Sequence, residues 1–238
     1  QRQMCIRDSS VVEALRHAGL HNERNINIHW IAAEDLEAGG LDQLLGSVQG
    51  IIVPGGFGKR GLEGMIATAS YARSHGVPYL GLCLGMQIMV IEYARNELGI
   101  SNATSLEIDP NAENPVIAFM PGQEKLHSTG GTMRLGAYPC VLKTGTRVHD
   151  AYREQKIDER HRHRYEFNNE YRIQLEEAGL IASGTSPDGS LVEVAEVFGH
   201  RFMVGSQFHP EFASRPERPH PLFNEFIKVS RDTLRDCL

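Results

Sequence analysis

Residues 77–91 read VPYLGLCLGMQIMVI and form the most apolar stretch of the chain. The pattern predicts a buried strand over Tyr79–Leu82 that runs directly into a helix over Leu84–Glu97. The stretch is interrupted by Pro78 and is too short to span a bilayer. Cys83 is therefore expected at the junction between a buried strand and a helix.

The residues before this stretch alternate between strand and helix patterns. Gly50–Val53 predicts another buried strand, and the glycine-containing loop Pro54–Gly61 follows it. The other predicted elements on this side are a helix over Val11–Ala18, a strand over Ile26–Ile31, a helix over Leu36–Leu45 broken at two glycines, and a helix over Leu62–Ser74. Because strands alternate with helices, we expect an α/β fold whose sheet is mostly parallel and carries helices on both faces.

From Pro115 onward the sequence is richer in strands. Asp188 and Gly189 form a hairpin signal between two predicted strands. The other predicted elements are strands over Val116–Phe119, Thr132–Leu142 and Phe202–Phe208, a basic run over Arg160–Phe167, and helices over Asn169–Ala178 and Pro219–Arg235. Because no repeat or long linker divides the chain, residues 10–238 are expected to form one domain. Residues 1–9, QRQMCIRDS, are expected to be a non-native or truncated leader.

Composition argues against several classes of partner. The 238 residues include 24 Lys and Arg against 30 Asp and Glu, a formal net charge of −6, so no general basic field attracts nucleic acid or anionic membranes. The four cysteines are far apart and include no C-x-x-C pair, which argues against a zinc ribbon or a dense disulfide framework. A reducing cytoplasm is the expected location.

The sequence around Cys83 is that of a nucleophile elbow. Glycines at 81 and 85 flank the cysteine at a strand-to-helix turn, where a side chain needs small neighbours. The N-terminus of the following helix favours negative charge and offers backbone N–H groups to an oxyanion. A catalytic cysteine and a small buried hydrophobe are about equally good interpretations of this pattern alone.

A histidine and a glutamate follow an apolar strand in the sequence QFHPE, residues 207–211. On an extended backbone, His209 and Glu211 would project to the same face, so the carboxylate could orient the imidazole. Such a pair is by itself more often a surface pair. Together with Cys83, however, it supplies a nucleophile, a base and an orienting acid from separate strand ends.

The third candidate element is the loop VPGGFG, residues 53–58. Glycines after a strand allow backbone N–H groups to approach a substrate oxygen closely. The loop lacks both the Gly-Lys-Ser/Thr ending of a phosphate loop and the spacing of a dinucleotide site. By itself it is equally compatible with a simple turn.

In this order, PGGFG, GLCLGMQ and QFHPE resemble the class I glutamine amidotransferases. The resemblance implies a flavodoxin-like fold and hydrolysis of glutamine to glutamate and ammonia through a thioester. It implies that Cys83 is the nucleophile, His209 the general base and Glu211 its orienter. The residues that it implies for binding L-glutamine are Gly56 and Leu84, which supply the oxyanion hole, and Gln87, Glu107 and Arg164, which hold the backbone of the substrate.

Longer motifs resemble one branch of this class. They are PGGFGKRGLEGMI, GGTMRLG, ERHRHRYEFNN, QFHPEF and HPLF. In that branch a glutaminase domain supplies ammonia to an N-terminal amidoligase domain, which aminates UTP to CTP with ATP. The resemblance implies ATP and Mg in the amidoligase domain, GTP as an activator, a homo-oligomeric full-length protein, and no cofactor or metal in the glutaminase domain.

The N-terminus departs from the family pattern. Family members begin this domain with a buried central strand before the first helix, a place taken here by residues 1–9. The sequence therefore predicts a sheet without its first strand. Its absence is expected to leave a slot between Ile26–Ile31 and Gly50–Val53.

Other interpretations remain open on sequence alone. The basic run Arg160–Arg164 could be a solvated face, and nucleic-acid binding or a metal site at His161 and His163 is disfavoured because supporting aromatic platforms and further ligands are lacking. The chain could also be a non-catalytic remnant that binds a partner, or a different glutaminase or cysteine hydrolase of the same fold.

Overall fold

The computed structural model describes residues 6–119 and 133–233. Within them the α-helices are α1 (Ile6–His21), α2 (Ala33–Glu37), α3 (Leu41–Leu45), α4 (Leu62–His75), α5 (Leu84–Asn96), α6 (Arg147–Tyr152), α7 (Arg172–Ala178) and α8 (Pro221–Thr233). The strands are β1 (Ile51–Val53), β2 (Tyr79–Leu82), β3 (Thr104–Ser105), β4 (Pro115–Phe119), β5 (Arg134–Leu142), β6 (Lys156–His163), β7 (Tyr165–Phe167), β8 (Leu180–Thr185), β9 (Val192–Val197) and β10 (Met203–Ser206). Short 3₁₀ helices span Asn169–Tyr171 and Pro210–Phe212.

The described strands form a seven-stranded sheet in the order β1-β2-β10-β9-β8-β5-β6 and a three-stranded sheet in the order β3-β4-β7. The predicted parallel arrangement holds for β1, β2 and β10, whereas the remaining neighbours in the large sheet are antiparallel. Residues 186–191 join β8 to β9, and antiparallel pairing is the one that such a short connection allows. The large sheet is therefore mixed.

Helices cover both faces of the large sheet, as the sequence predicts. Successive residues of β2 point to opposite faces, so Tyr79 packs into the core beneath α4 and α5, while Leu80 and Leu82 pack into the core beneath α1 and α8. Within the described residues, no helix is long and apolar enough to cross a membrane. The α/β fold class inferred from the sequence is confirmed.

The strand predicted over Ile26–Ile31 is wrong. These residues belong to no strand, although Ile26 and Ile28 pack against one core and Ile31 against the other. An extended segment becomes a strand only when a neighbour satisfies its backbone groups, and β1 pairs with β2 alone among the described strands. The absence of a first strand, and the slot that it would leave, stay predictions.

Several element boundaries differ from the predictions by a few residues. The helix predicted over Leu36–Leu45 is two short helices, α2 and α3, separated by Gly39 and Gly40, which both have positive φ. Helix α1 begins at Ile6, within the predicted leader, while residues 1–5 lie outside the described part. Thr132 of the predicted strand Thr132–Leu142 and residues 234–235 of the predicted helix Pro219–Arg235 also lie outside the described part. The leader therefore stays a prediction.

Candidate active site

Cys83 occupies the sharp turn between β2 and α5. Its φ of 52° and ψ of −100° are unusual for a residue with a side chain. A Cβ on Gly81 would lie 2.5 Å from the backbone of Gly85, and a Cβ on Gly85 would lie 2.1 Å from the carbonyl oxygen of Val53. The two glycines are thus required for β1, β2 and α5 to meet closely, and the turn holds the thiol at the N-terminus of α5.

His209 and Glu211 come from the segment after β10. The Nδ1 atom of His209 lies 2.8 Å from Oε1 of Glu211, and both side chains are buried. Glu211 reaches the imidazole from the 3₁₀ helix Pro210–Phe212, so the sequence argument from a simple extended strand had the wrong local geometry. A Cβ on Gly55 would lie 2.8 Å from Cε1 of His209 and 3.5 Å from Cβ of Cys83. The histidine and the cysteine therefore adjoin the same glycine.

The pKa of His209 is raised to about 9. Burial lowers this pKa. Hydrogen bonding with Cys83 and Glu211, together with the charges of these two groups, raises the pKa by more than burial lowers it. The imidazole therefore holds a proton at neutral pH. A positively charged imidazole beside a cysteine is an arrangement that favours nucleophilic chemistry at sulfur.

The glycine loop between β1 and α4 lies against the elbow. A Cβ on Gly56 would lie 2.9 Å from Cδ2 of Leu84, so only glycine lets the loop approach this closely. Leu84 is the first residue of α5, where backbone N–H groups have no acceptor within the helix. Gly56 and Leu84 thus bring backbone from two elements to the side of Cys83.

A cavity of roughly 310 Å³ opens beside the cysteine. It is lined by Gly56, Phe57, Cys83, Gln87, Glu107, Met133, His163, Arg164 and Tyr165. Five of the eight residues named from the sequence line this cavity, and Leu84, His209 and Glu211 adjoin it through Gly56 and Cys83.

Two oppositely charged side chains face each other in the cavity. The positive charge of Arg164 lowers the pKa of Glu107, although burial has the larger effect and raises it overall. Glu107 Oε1 also accepts a hydrogen bond of 3.1 Å from the backbone N–H of Gly58 in the glycine loop. The cavity therefore offers a carboxyl group, a guanidinium and a thiol.

Gln207 is a residue of the site that the sequence argument did not select. Its Nε2 lies 3.7 Å from Sγ of Cys83, and its Oε1 accepts from Nε2 of Gln87 at 3.2 Å. Gln87 also donates to the carbonyl oxygen of Tyr165 at 3.1 Å. The amide nitrogen of Gln87 is thus engaged by the protein. The signal for Gln207 was its place in the QFHPE motif.

Within residues 6–119 and 133–233, no group of three or more His, Cys, Asp or Glu side chains has the arrangement of a metal site. His161 and His163 instead contact each other, with Nδ1 of the first 2.8 Å from Nε2 of the second.

Comparison with known proteins identifies the class. Residues 6–229 match the family model described as glutamine amidotransferase class-I. The chain therefore belongs to the class I glutamine amidotransferases.

Its relatives define the branch within that class. The chain is 59% identical to CTP synthases of Dehalococcoides mccartyi and Roseiflexus castenholzii over 95% of its length, and these matches cover 42% and 41% of the relatives. The glutaminase domain of Trypanosoma brucei CTPS, solved with bound acivicin, is 35% identical with a TM-score of 0.88, covering 94% of this chain and 88% of that one. The chain is thus a glutaminase domain of the CTP synthase type and spans about two fifths of the length of the curated relatives it matches.

Proposed function

We propose that this domain hydrolyses L-glutamine to glutamate and ammonia with Cys83 as nucleophile, His209 as general base and acid, and Glu211 as the group that orients His209. The observation that carries the proposal is that Cys83 lines one cavity with Glu107 and Arg164 and also adjoins the buried His209–Glu211 pair, since Gly55 lies against both Cys83 and His209.

The proposed reaction has two steps. The Cys83 thiolate attacks the side-chain amide carbon, and the oxyanion that forms accepts hydrogen bonds from the backbone N–H groups of Gly56 and Leu84. His209 gives its proton to the departing nitrogen, so ammonia leaves and a thioester remains. Water, deprotonated by His209, then attacks the thioester. Glutamate leaves, and the thiolate of Cys83 and the protonated His209 are restored.

Substrate recognition is assigned to the two charged residues of the cavity. Arg164 can bind the α-carboxylate with two parallel hydrogen bonds, and Glu107 can bind the α-ammonium group. The α-carboxylate and α-ammonium groups of glutamine thus match the charges of Arg164 and Glu107. The amide at the other end of glutamine then lies toward Cys83.

We further propose that the ammonia serves the ATP-dependent amination of UTP to CTP in an amidoligase domain. The support is the name shared by the curated relatives, of which this chain covers about two fifths. ATP and Mg belong to that domain in this proposal, GTP is the activator, the full-length protein is a homo-oligomer, and the cytoplasm is its location. No cofactor is assigned to the glutaminase domain.

A chloroketone analogue of glutamine tests the proposed chemistry. The reagent should alkylate Cys83 at a single site, and glutamine should protect the thiol because it occupies the same cavity. The C83A variant should be neither labelled nor active, whereas C140A, which removes the other buried cysteine described, should be labelled like the parent. Unprotected labelling, or no labelling, would favour a non-catalytic domain. Cleavage of peptides in preference to glutamine would favour a cysteine hydrolase of the same fold.

A further inference from the structure

Five ionisable side chains lie buried beside the cavity and have no role in the proposed chemistry. They come from four strands: Arg134 from β5, His161 and His163 from β6, Glu166 from β7 and Glu193 from β9. Each side chain is at most 7% exposed. We call these five residues the buried cluster. It joins the seven-stranded sheet to the three-stranded sheet.

Arg134 is the central charge of the buried cluster. Its Nη1 lies 2.7 Å from Oε1 of Glu193 and 3.8 Å from Oε1 of Glu166. Burial, and then the charge of Glu193, raise the pKa of Glu166 to about 8, against the opposing effect of Arg134. Glu166 is therefore mainly protonated at neutral pH, and Arg134 balances the charge of Glu193. The cluster is close to electrically neutral in this state.

The two histidines have only one set of tautomers that fits their contacts. Nδ1 of His163 lies 3.2 Å from the carbonyl oxygen of Tyr165, which can only accept, so this nitrogen carries the proton. Nε2 of the neutral His163 must then accept from Nδ1 of His161. Burial is the main reason that the pKa values fall to about 2 for His161 and about 3 for His163, so both rings stay neutral. This chain of bonds has a defined direction and ends at the Tyr165 carbonyl.

Arg164 lies at the point where the buried cluster holds the backbone on both sides. It follows His163, the last residue of β6, and precedes Tyr165, the first residue of β7. The Tyr165 carbonyl accepts from Gln87 as well as from His163, and Glu166 faces Nδ1 of His163 at 3.6 Å. The chain therefore passes from one sheet to the other at Arg164 with anchored residues before and after it.

A guanidinium that binds a carboxylate through two parallel hydrogen bonds needs its backbone held to within about half an ångström. We propose that the buried cluster, with Arg134 at its centre, is a positioning assembly that sets the place of Arg164 and so determines the preference of the site for the α-carboxylate of glutamine. The proposal rests on the proposed function for the role of Arg164.

A purely stabilising role is the competing explanation. Buried ion pairs contribute little net stability compared with well-packed apolar residues, although removal of one partner leaves an unpaired charge that is strongly destabilising. The pair Arg134–Glu193 must therefore be removed as a unit. Ligand preference, unlike stability, depends on where Arg164 lies.

The experiment measures binding in the C83A protein, which cannot turn substrate over, by titration calorimetry. The ligands are L-glutamine and its α-amide, in which an uncharged carboxamide replaces the α-carboxylate. C83A alone should prefer glutamine, and added R164A should abolish the preference. R134M/E193Q should weaken glutamine binding roughly fivefold or more and α-amide binding less than twofold, with no further loss when R164A is added. R134K keeps the positive charge but lacks the planar guanidinium with its several N–H donors. Its preference for glutamine over the α-amide should lie between those of C83A and R134M/E193Q.

A matched control is R73M/E92Q, which removes another largely buried ion pair. Arg73 of α4 and Glu92 of α5 lie 2.9 Å apart. This double variant should leave the preference for glutamine over the α-amide unchanged. Equal weakening of both ligands by R134M/E193Q, or an unchanged preference in R134K, would overturn the positioning role. A parent protein with no preference would also overturn it. If the expected preferences appear while the protein with Cys83 intact fails to hydrolyse glutamine, the proposed function fails and the positioning role stands.

Discussion

Cys83 is held in a backbone conformation that most residues with a side chain avoid. The surrounding elements impose it, because Gly81 and Gly85 allow β1, β2 and α5 to approach each other around the turn. The strain is useful in the proposed reaction, since it presents the thiol to the cavity and leaves the first backbone N–H groups of α5 next to it.

The two partners of Cys83 should differ in importance. We expect H209A to lower kcat by roughly a millionfold and E211Q by about ten-thousandfold or less, because the base transfers the proton whereas the acid only orients and stabilises the imidazolium. Steady-state turnover of glutamine measures both. Equal losses, or a larger loss in E211Q, would mean that the two roles are assigned wrongly.

Arg164 and Glu107 should act on binding. We expect R164A and E107A each to raise KM for glutamine roughly tenfold to a hundredfold with little change in kcat, because each contacts a charged group remote from the reacting amide. Initial rates over a range of glutamine concentrations separate the two constants. A fall in kcat at unchanged KM would place these residues in the chemistry instead.

The turn between β2 and α5 depends on close backbone contact. In G85A the new Cβ would lie 2.1 Å from the carbonyl oxygen of Val53, so β1 and α5 must separate. We expect a loss of about 2 kcal/mol or more in the free energy of unfolding, together with loss of activity. Denaturant titration checks the first effect.

The control for G85A is G199N. Gly199 has a φ of 76° and no neighbour within 4 Å of an added Cβ, and asparagine tolerates this conformation. G199N should lower the free energy of unfolding by less than about 1 kcal/mol. Equal stability of G85A and the parent would show that β1 and α5 can move apart freely.

The large sheet consists of two parts with different roles. The parallel strands β2 and β10 lead to Cys83 and to the segment of His209, whereas β6, the edge strand that pairs with β5, leads to Arg164. The backbone N–H of His209 donates to the carbonyl oxygen of Arg160 in β6 at 2.8 Å. The two parts are thus joined next to the site.

The neutral histidines of the buried cluster should make the folded protein sensitive to acid. The folded-state pKa of His163 is about 3, below its ordinary value of about 6.5, so its contribution to stability is present above pH 6.5 and is lost as the pH falls toward 3. Between pH 7.5 and pH 5 the parent should lose up to about 2 kcal/mol relative to H163N.

Unfolding free energies of the parent and H163N at the two pH values measure this difference. The comparison must use both proteins, because the contribution of Glu166 to stability changes with pH in the opposite direction. The folded pKa of Glu166 is about 8, so its contribution is present below pH 4.5 and is lost as the pH rises. A difference that does not change with pH would show that His163 is not held neutral.

Regulation is expected to involve the rest of the full-length protein. The backbone N–H of Gly58 in the glycine loop donates to Glu107, so in the proposed function the position of the loop would be coupled to substrate binding. Lys59 and Arg60 of the same loop carry charges that a nucleotide could bind. We expect the isolated domain to be a weak glutaminase and to reach full turnover only with an amidoligase domain and GTP. Turnover measured with and without each addition tests this. A full rate in the isolated domain would contradict the gating role without affecting the triad.

Much of the local geometry around Cys83 could be predicted from sequence because its signals are local. Small residues around Cys83 are a requirement of one tight turn, and an apolar run such as Tyr79–Leu82 has the same length in sequence and in the fold. The strand, the turn and the start of α5 were therefore predicted at the residues where the structure has them.

Only the tertiary structure decided which segments meet. Ile26–Ile31 has the composition of a strand but pairs with no described neighbour, and Gln207 is significant because it meets Cys83 and Gln87 from other elements. The buried cluster likewise draws on four strands. Backbone pairing and the pKa of a buried group depend on partners that are distant along the chain, and a local pattern contains no information about those partners.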